Sequence, residues 1–272
     1  MIQGENQCDL PPLMFEISEN EEPAAAAPQH EQHDRIIIEF CCGKDSMIST
    51  KRSWTKGCKM VRLTEEEDMT SESGLKTALN ILKDPIAKRG KVLLWAAIPC
   101  TGGSAWNRFN WFKGNPETQN RIVGHWKLYR KLWKTYIILA SEVMRIGGCV
   151  VNEWPARCSY WKDNRVTKFQ REKRMLFSDF DGCAYGLQTK KKRNMSNPSR
   201  IDHEGELMYI LKPWRIMFSE NAGIFGEYLR NRCSKEHIHA HAAGSETKGT
   251  EDYTWNIAKA VHRAFKGFCE ST

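Results

Sequence analysis

No run of about 18 uninterrupted apolar residues occurs in the 272-residue chain, so an ordinary membrane-spanning helix is not expected. The N-terminus has no basic segment leading into an apolar run, so no secretory signal is expected either. No internal repeat is visible, which argues against solenoids and propellers. Residues 1–34 contain no Lys or Arg. They hold eight acids, the pair Pro11-Pro12 and the alanines Ala24 to Ala27. This composition reads as a disordered acidic tail or tether. The chain is therefore expected to divide into a tail, 1–34, and one domain, 35–272.

The domain has the material for a core, since 40% of the chain is hydrophobic. Its charge is one-sided. The formal +8 of the whole chain includes the acidic tail; the rest carries all 41 bases against 25 of the 33 acids, a surplus of 16. Such a surplus points to a polyanionic partner, nucleic acid first and DNA before RNA. A solvated basic surface is the plainer alternative. Ten cysteines in a chain of this length, without a signal, are expected to stay reduced, in the cytoplasm or nucleus.

Hydrophobic patterning predicts strands at Ile36–Phe40, Lys59–Leu63, Val92–Ile98 and Cys149–Glu153. Helices are predicted at Ser71–Lys83, Asn120–Arg145 and Thr254–Phe265. Late strands are expected at Gly182–Leu187 and Trp214–Phe218, joined by a long basic loop. Strand and helix alternate as in a doubly wound, mostly parallel α/β sheet, where ligands bind at the carboxyl ends of the strands. Between Leu63 and Val92 there is room for only one helix, so one βα unit is read as shortened or lost.

Three loops follow strand ends. Glu39-Phe40-Cys41-Cys42-Gly43 can cradle a cofactor against its backbone, or form an ordinary βα turn. Ile98-Pro99-Cys100 places a cysteine after the strongest strand, either as a nucleophile or as a buried structural residue. Asn152-Glu153-Trp154-Pro155 offers an acid that could hold a proton near neutral pH, or one paired with an arginine.

In this order the three loops resemble the motifs of the cytosine-5 DNA methyltransferases: Phe-x-Gly-x-Gly, Pro-Cys and Glu-Asn-Val. Ala184-Tyr185-Gly186-Leu187-Gln188 with Lys192-Arg193 is similar to that family's Tyr-Gly-x-x-Gln and basic segment. The likeness spans residues 36–218, and it extends to methyltransferase-like reading frames of mobile elements. It implies a Rossmann-like domain that binds S-adenosylmethionine, with Cys100 as nucleophile toward carbon 6 of cytosine and Glu153 as the acid at N3. It places Glu39, Phe40, Cys42, Gly43 and Pro99 near the cofactor, with Glu65 or Asp68 toward its ribose or adenine. The departures are a missing second glycine after Gly43, Thr101 where Gln is usual, and the inverted order Asn152-Glu153. They keep open a non-catalytic nucleic-acid-binding protein on the same scaffold, and an enzyme that uses Cys100 on a small substrate.

Phosphate contacts are expected from Lys190, Lys191, Lys192 and Arg193, and from Arg165, Lys168, Arg171, Lys173 and Arg174. Trp106, Trp111 and Trp154 are candidates for stacking on bases, with packing as the alternative. Cys233, His237, His239 and His241 place four zinc-type ligands within nine positions, with Cys183 or Cys269 able to complete a set built from some of them. A polar surface loop is the alternative there.

Overall fold

The structure, a computed structural model, describes residues 32–189, 207–240 and 250–272. The tail up to residue 31, Lys190, Lys191, Lys192, Arg193 and His241 lie outside the described residues.

Six strands form one sheet: β1 (Arg35–Phe40), β2 (Cys58–Leu63), β3 (Val92–Ala96), β4 (Cys149–Pro155), β5 (Leu176–Asp181) and β6 (Pro213–Phe218). Their order is β2-β1-β3-β4-β6-β5. The first four are parallel, and β6 runs antiparallel to both β4 and β5. Every residue of β1 is buried, as its unbroken apolar reading requires for a strand covered on both faces. Each of Ile36, Ile37 and Ile38 contributes about 1.5–3 kcal/mol by leaving water.

Helices cover both faces. On one, Ile36, Ile38, Phe40, Leu94, Val150 and Trp154 pack against α1 (Glu72–Ile81), α4 (Pro116–Arg145) and α5 (Asn164–Glu172). On the other, Ile37, Leu93, Trp95, Val151 and Ile216 pack against α6 (Gly223–Tyr228) and α7 (Trp255–Ser271). Between β2 and β3 the chain makes a 3-10 turn (Glu65–Glu67), α1 and the single turn α2 (Pro85–Lys88), with no strand, which accounts for the short spacing in the sequence. α3 (Trp106–Lys113) stands between β3 and α4. Among the described residues no helix is long and apolar enough to cross a membrane.

Two expectations need correction. Gly182–Leu187 is not a strand; Gly182–Tyr185 is a 3-10 turn, closed by the Leu187 amide on the Gly182 carbonyl at 2.9 Å. A side chain at Gly182 would press on Leu187 and Trp214, so the glycine permits the tight reversal. The strand lies just before it, at Leu176–Asp181, and its exposed Leu176 and Phe177 hid the pattern. The long helix begins at Pro116 rather than Asn120. The Asn115 side chain accepts from the Thr118 amide at 2.9 Å, and proline fits the first helical position.

Candidate active site at the carboxyl ends of the strands

From β1 the chain steps to β2 on one side and then to β3 on the other. The carboxyl ends of β1 and β3 therefore form the switch point where open α/β sheets bind ligands. The Cys41 amide donates to Leu63 (2.9 Å) and the Ala97 amide to Phe40 (3.0 Å), which ties the three strand ends together.

The turn after β1 has its left-handed residue at Cys41, at φ 62°. Such a conformation is uncommon for a residue with a side chain. A Cβ on Gly43 would meet nothing within 4 Å, so its open side faces free space. Glu39 is buried, and its carboxylate accepts from Ser46 Oγ at 2.5 Å and from Ser49 Oγ. Burial raises the Glu39 pKa against the pull of these hydroxyls. Arg62 clamps the turn by donating to the Lys44 and Ser49 carbonyls. The Cys42 thiol is pushed up to about 12 by burial, with Glu39 adding to the rise.

Beyond β2, Glu65 is exposed in a 3-10 turn, and Lys44 pairs with the adjacent Glu66 at 2.6 Å. Asp68 is engaged locally, accepting from the Thr70 hydroxyl at 2.7 Å and amide at 3.2 Å. Those bonds hold its carboxyl below the usual range.

After β3, Pro99 is exposed and Cys100 is half-buried at the start of a 3-10 turn, Thr101–Gly103. A Cβ on Gly102 would strike the Tyr160 hydroxyl, and one on Gly103 would strike Cys158 Sγ. The two glycines thus let the Cys100 loop lie flat on the segment that follows β4. The Cys100 thiol is pushed up to about 11 by burial, with Glu153 adding to the rise and Lys212 opposing it. This differs from the depressed value expected of an activated cysteine.

Glu153, 6% exposed, points from β4 to the same sheet face as Glu39 and Trp95. Tyr253 Oη donates to Glu153 Oε2 at 2.7 Å and accepts from Trp95 Nε1 at 3.1 Å. Burial raises the Glu153 pKa, while Lys212 and the Tyr253 bond oppose the rise. Among the described residues its Oε1 has no hydrogen-bond partner, and neither does the side-chain amide of the fully buried neighbour Asn152. Lys212 stands just before β6, donates to the Thr250 carbonyl at 2.6 Å and lies over the Trp214 ring. Its pKa is lowered by burial, with Glu153 and Cys100 acting the other way.

Sequence reasoning missed Tyr253 and Lys212. Both are single residues beside element ends, without periodicity or motif; what brings them in is the sheet order. Trp154, a stacking candidate, is instead a core residue that donates Nε1 to the Ile98 carbonyl at 2.7 Å, joining the ends of β3 and β4. Trp106 and Trp111 do face solvent, at 70% and 41% exposure. With Phe109 and Phe112 they make α3 a helix without a buried residue. Asn107 anchors it to the Cys100 loop by donating to the Thr101 (2.6 Å) and Gly102 (3.0 Å) carbonyls. Arg165, Lys168, Arg171, Lys173 and Arg174 are exposed on and after α5, some of them in surface ion pairs.

Tyr185 is buried and donates to the Tyr228 carbonyl at 2.7 Å. Beside it, Cys183, Cys233, His237 and His239 bring four ligand atoms within 4.8 Å of one another, a group able to hold a metal ion. Cys269 is elsewhere, near Cys58 and Cys149. A cavity of about 560 Å³ lined by Arg35, Lys56, His262 and Lys266, among others, opens at the opposite, amino end of β1 and β2. Cys100 and Glu153 do not line it. Comparison with known protein families, curated proteins and solved structures finds no match to the chain.

Proposed function

We propose that the protein is an S-adenosylmethionine-dependent methyltransferase acting on nucleic acid, at carbon 5 of cytosine, through Cys100. The observation that supports this best is the meeting of Cys100, Glu153 and the β1 turn at one switch point, beside an aromatic, basic helix.

The residues present fit the cofactor. The open side of Gly43 and the sharp turn at Cys41 leave backbone free to approach a ligand, and Glu65 stands across from that turn. Cys42, Gly43 and Pro99 would line the methionine end, Phe40, fully buried against Tyr136, backs the turn from the core, and the exposed Glu65 is the acid for the ribose. Glu39 and Asp68 are already hydrogen-bonded within the chain, so they shape the turns rather than reach the ligand. When bound, the cofactor supplies an electrophilic methyl group on a sulfonium.

On this reading the Cys100 thiol gives its proton to solvent water, helped by the Lys212 charge, and the thiolate adds to carbon 6 of the base. That addition makes carbon 5 nucleophilic toward the methyl group. Glu153, buried and therefore favoured in its neutral form, donates a hydrogen bond or proton at N3. Tyr253 fixes the carboxyl's orientation. After carbon 5 carries the methyl group, solvent water takes its proton, the C5–H electrons rebuild the double bond, the C6–S bond breaks to release the Cys100 thiolate, and N3 returns its proton to Glu153. The base must be flipped or single-stranded to reach Cys100. The rings of α3, interleaved with Arg108 and Lys113, offer a stacking and phosphate-binding surface beside it.

The raised Cys100 thiol favours a second reading, a nucleic-acid-binding protein that does not transfer methyl groups. Two measurements decide. Calorimetry with S-adenosylmethionine should show heat, and saturation at 100 times the dissociation constant should stabilise the fold by about 2.7 kcal/mol. Cys100→Ala should keep fold and cofactor binding but lose methyl transfer and covalent trapping by 5-fluorocytosine strands. Cofactor binding without trapping would support the second reading, and no binding at all would end the first.

A further inference from the structure

We propose that Cys183, Cys233, His237 and His239 form a closed structural zinc site that joins the end of β5 to the segment between α6 and α7. The donor set joins Cys233, His237 and His239 of the run visible in the sequence to Cys183, fifty residues upstream.

The geometry carries the assignment. A tetrahedral zinc with bonds of about 2.3 Å to sulfur and about 2.05 Å to nitrogen sets each sulfur–nitrogen edge near 3.6 Å. Cys233 Sγ lies 3.6 Å from His237 Nε2 and 3.4 Å from His239 Nε2. Cys183 Sγ completes the group, all four atoms lying within 4.8 Å of one another. Three hydrogen-bonding side chains of a surface loop would have no reason to converge on a buried thiol in this way.

The backbone is arranged for a thiolate. Lys235 takes a left-handed conformation, φ 67°, and its amide donates to Cys233 Sγ at 3.3 Å. The Cys233 amide is itself held by Asp181 Oδ2 at 2.9 Å. His237 is packed on the Tyr209 ring at 4.3 Å, and His239 is bridged to Tyr209 through its backbone. The His237 imidazole is thus held by a ring outside the set, and the His239 imidazole meets it edge-on at 4.7 Å. Four protein donors leave no open position, which marks a structural centre rather than a catalytic one. The site also bears on the candidate active site, since the Gly182 amide beside Cys183 donates to the Lys212 carbonyl at 2.9 Å.

The test is metal content and cobalt spectroscopy on the full chain, neither of which depends on methyl transfer. Protein expressed with zinc should carry one equivalent per chain, and removal by a strong chelator should lower its melting temperature. Cobalt substitution should give tetrahedral d–d bands and a thiolate charge-transfer band for two sulfurs. Cys183→Ser and Cys233→Ser should each lose the metal. If either fails to fold, His237→Cys serves instead: it keeps the metal and raises the charge-transfer intensity by about half, as three thiolates replace two. His241→Ala should retain the metal in full. Absence of bound metal, a disulfide between Cys183 and Cys233, or loss of metal in His241→Ala would overturn the assignment.

Discussion

Replacing Glu153 by Gln should make the fold progressively more stable than the parent as pH rises from about 4.5 toward neutrality. The carboxyl is buried, and burial raises its pKa in the folded protein above the ordinary 4.5. Below that value both the folded and unfolded chains hold the proton, so the two proteins differ by a constant. Above it the unfolded chain releases the proton while the folded one keeps it, and the native state loses stability as pH climbs. The loss is about 1.4 kcal/mol for each pH unit in that window, and it stops once the folded pKa is passed. For a domain of this size that corresponds to about 3–5 °C of melting temperature per pH unit. Glutamine cannot titrate, yet its carbonyl can still accept from Tyr253. Glu39, shifted in the same direction, is present in both proteins and cancels in the difference. Thermal melts across that range, plotted as variant minus parent, should rise and then level. Parallel curves would mean that Glu153 is ionised in the fold, and the proton-donor role would fall with it.

Further outcomes follow from the loops and from α3. Gly103→Ala should cost about 1–3 kcal/mol by overpacking against Cys158 and Tyr160, whereas Gly43→Ala should leave the melt unchanged and weaken only cofactor binding. Equal melts for the two would contradict the packing described. Trp106→Ala and Phe112→Ala should shift stability by no more than about 0.5 kcal/mol, because both rings are largely exposed. Fluorescence titration with single-stranded DNA should nevertheless weaken by about 1–3 kcal/mol for each ring that stacks on a base. Unchanged affinity would remove α3 from the binding surface.

The parallel half of the sheet was legible because its strands are covered on both faces and read as unbroken apolar runs, such as Ile36–Ile38 and Val92–Trp95. Two helix starts were legible too: Ser71 and Thr254, where helices were expected to begin, each accept an amide of the first turn, whereas the Asn115 cap of the long helix was not foreseen. β5 was hidden because an edge strand exposes Leu176 and Phe177 instead of alternating cleanly. For the site, chain order brought Cys100 and Glu153 into consideration, but not what surrounds them. That Glu39 would be satisfied by Ser46 and Ser49, or that Trp154 would turn into the core, depends on which sheet face each residue meets. Tyr253 and Lys212 reach Glu153 from residues 100 and 59 positions downstream, a distance over which local pattern says nothing.

The strand order also sets a sequence of events during synthesis. β6 emerges from the ribosome after β5 but lies inside it, between β4 and the sheet edge. Until residue 218 is made, β4 offers an open row of amides and carbonyls, and β5 has no strand to pair with. The nascent chain therefore carries an unpaired edge through the making of more than sixty residues, a template for wrong pairing with another chain. Tyr253, the partner of Glu153, arrives later still, with the start of α7. Glu153 is thus the last group of the candidate site to gain its partner, and a chain released early holds Cys100 without a settled Glu153 beside it.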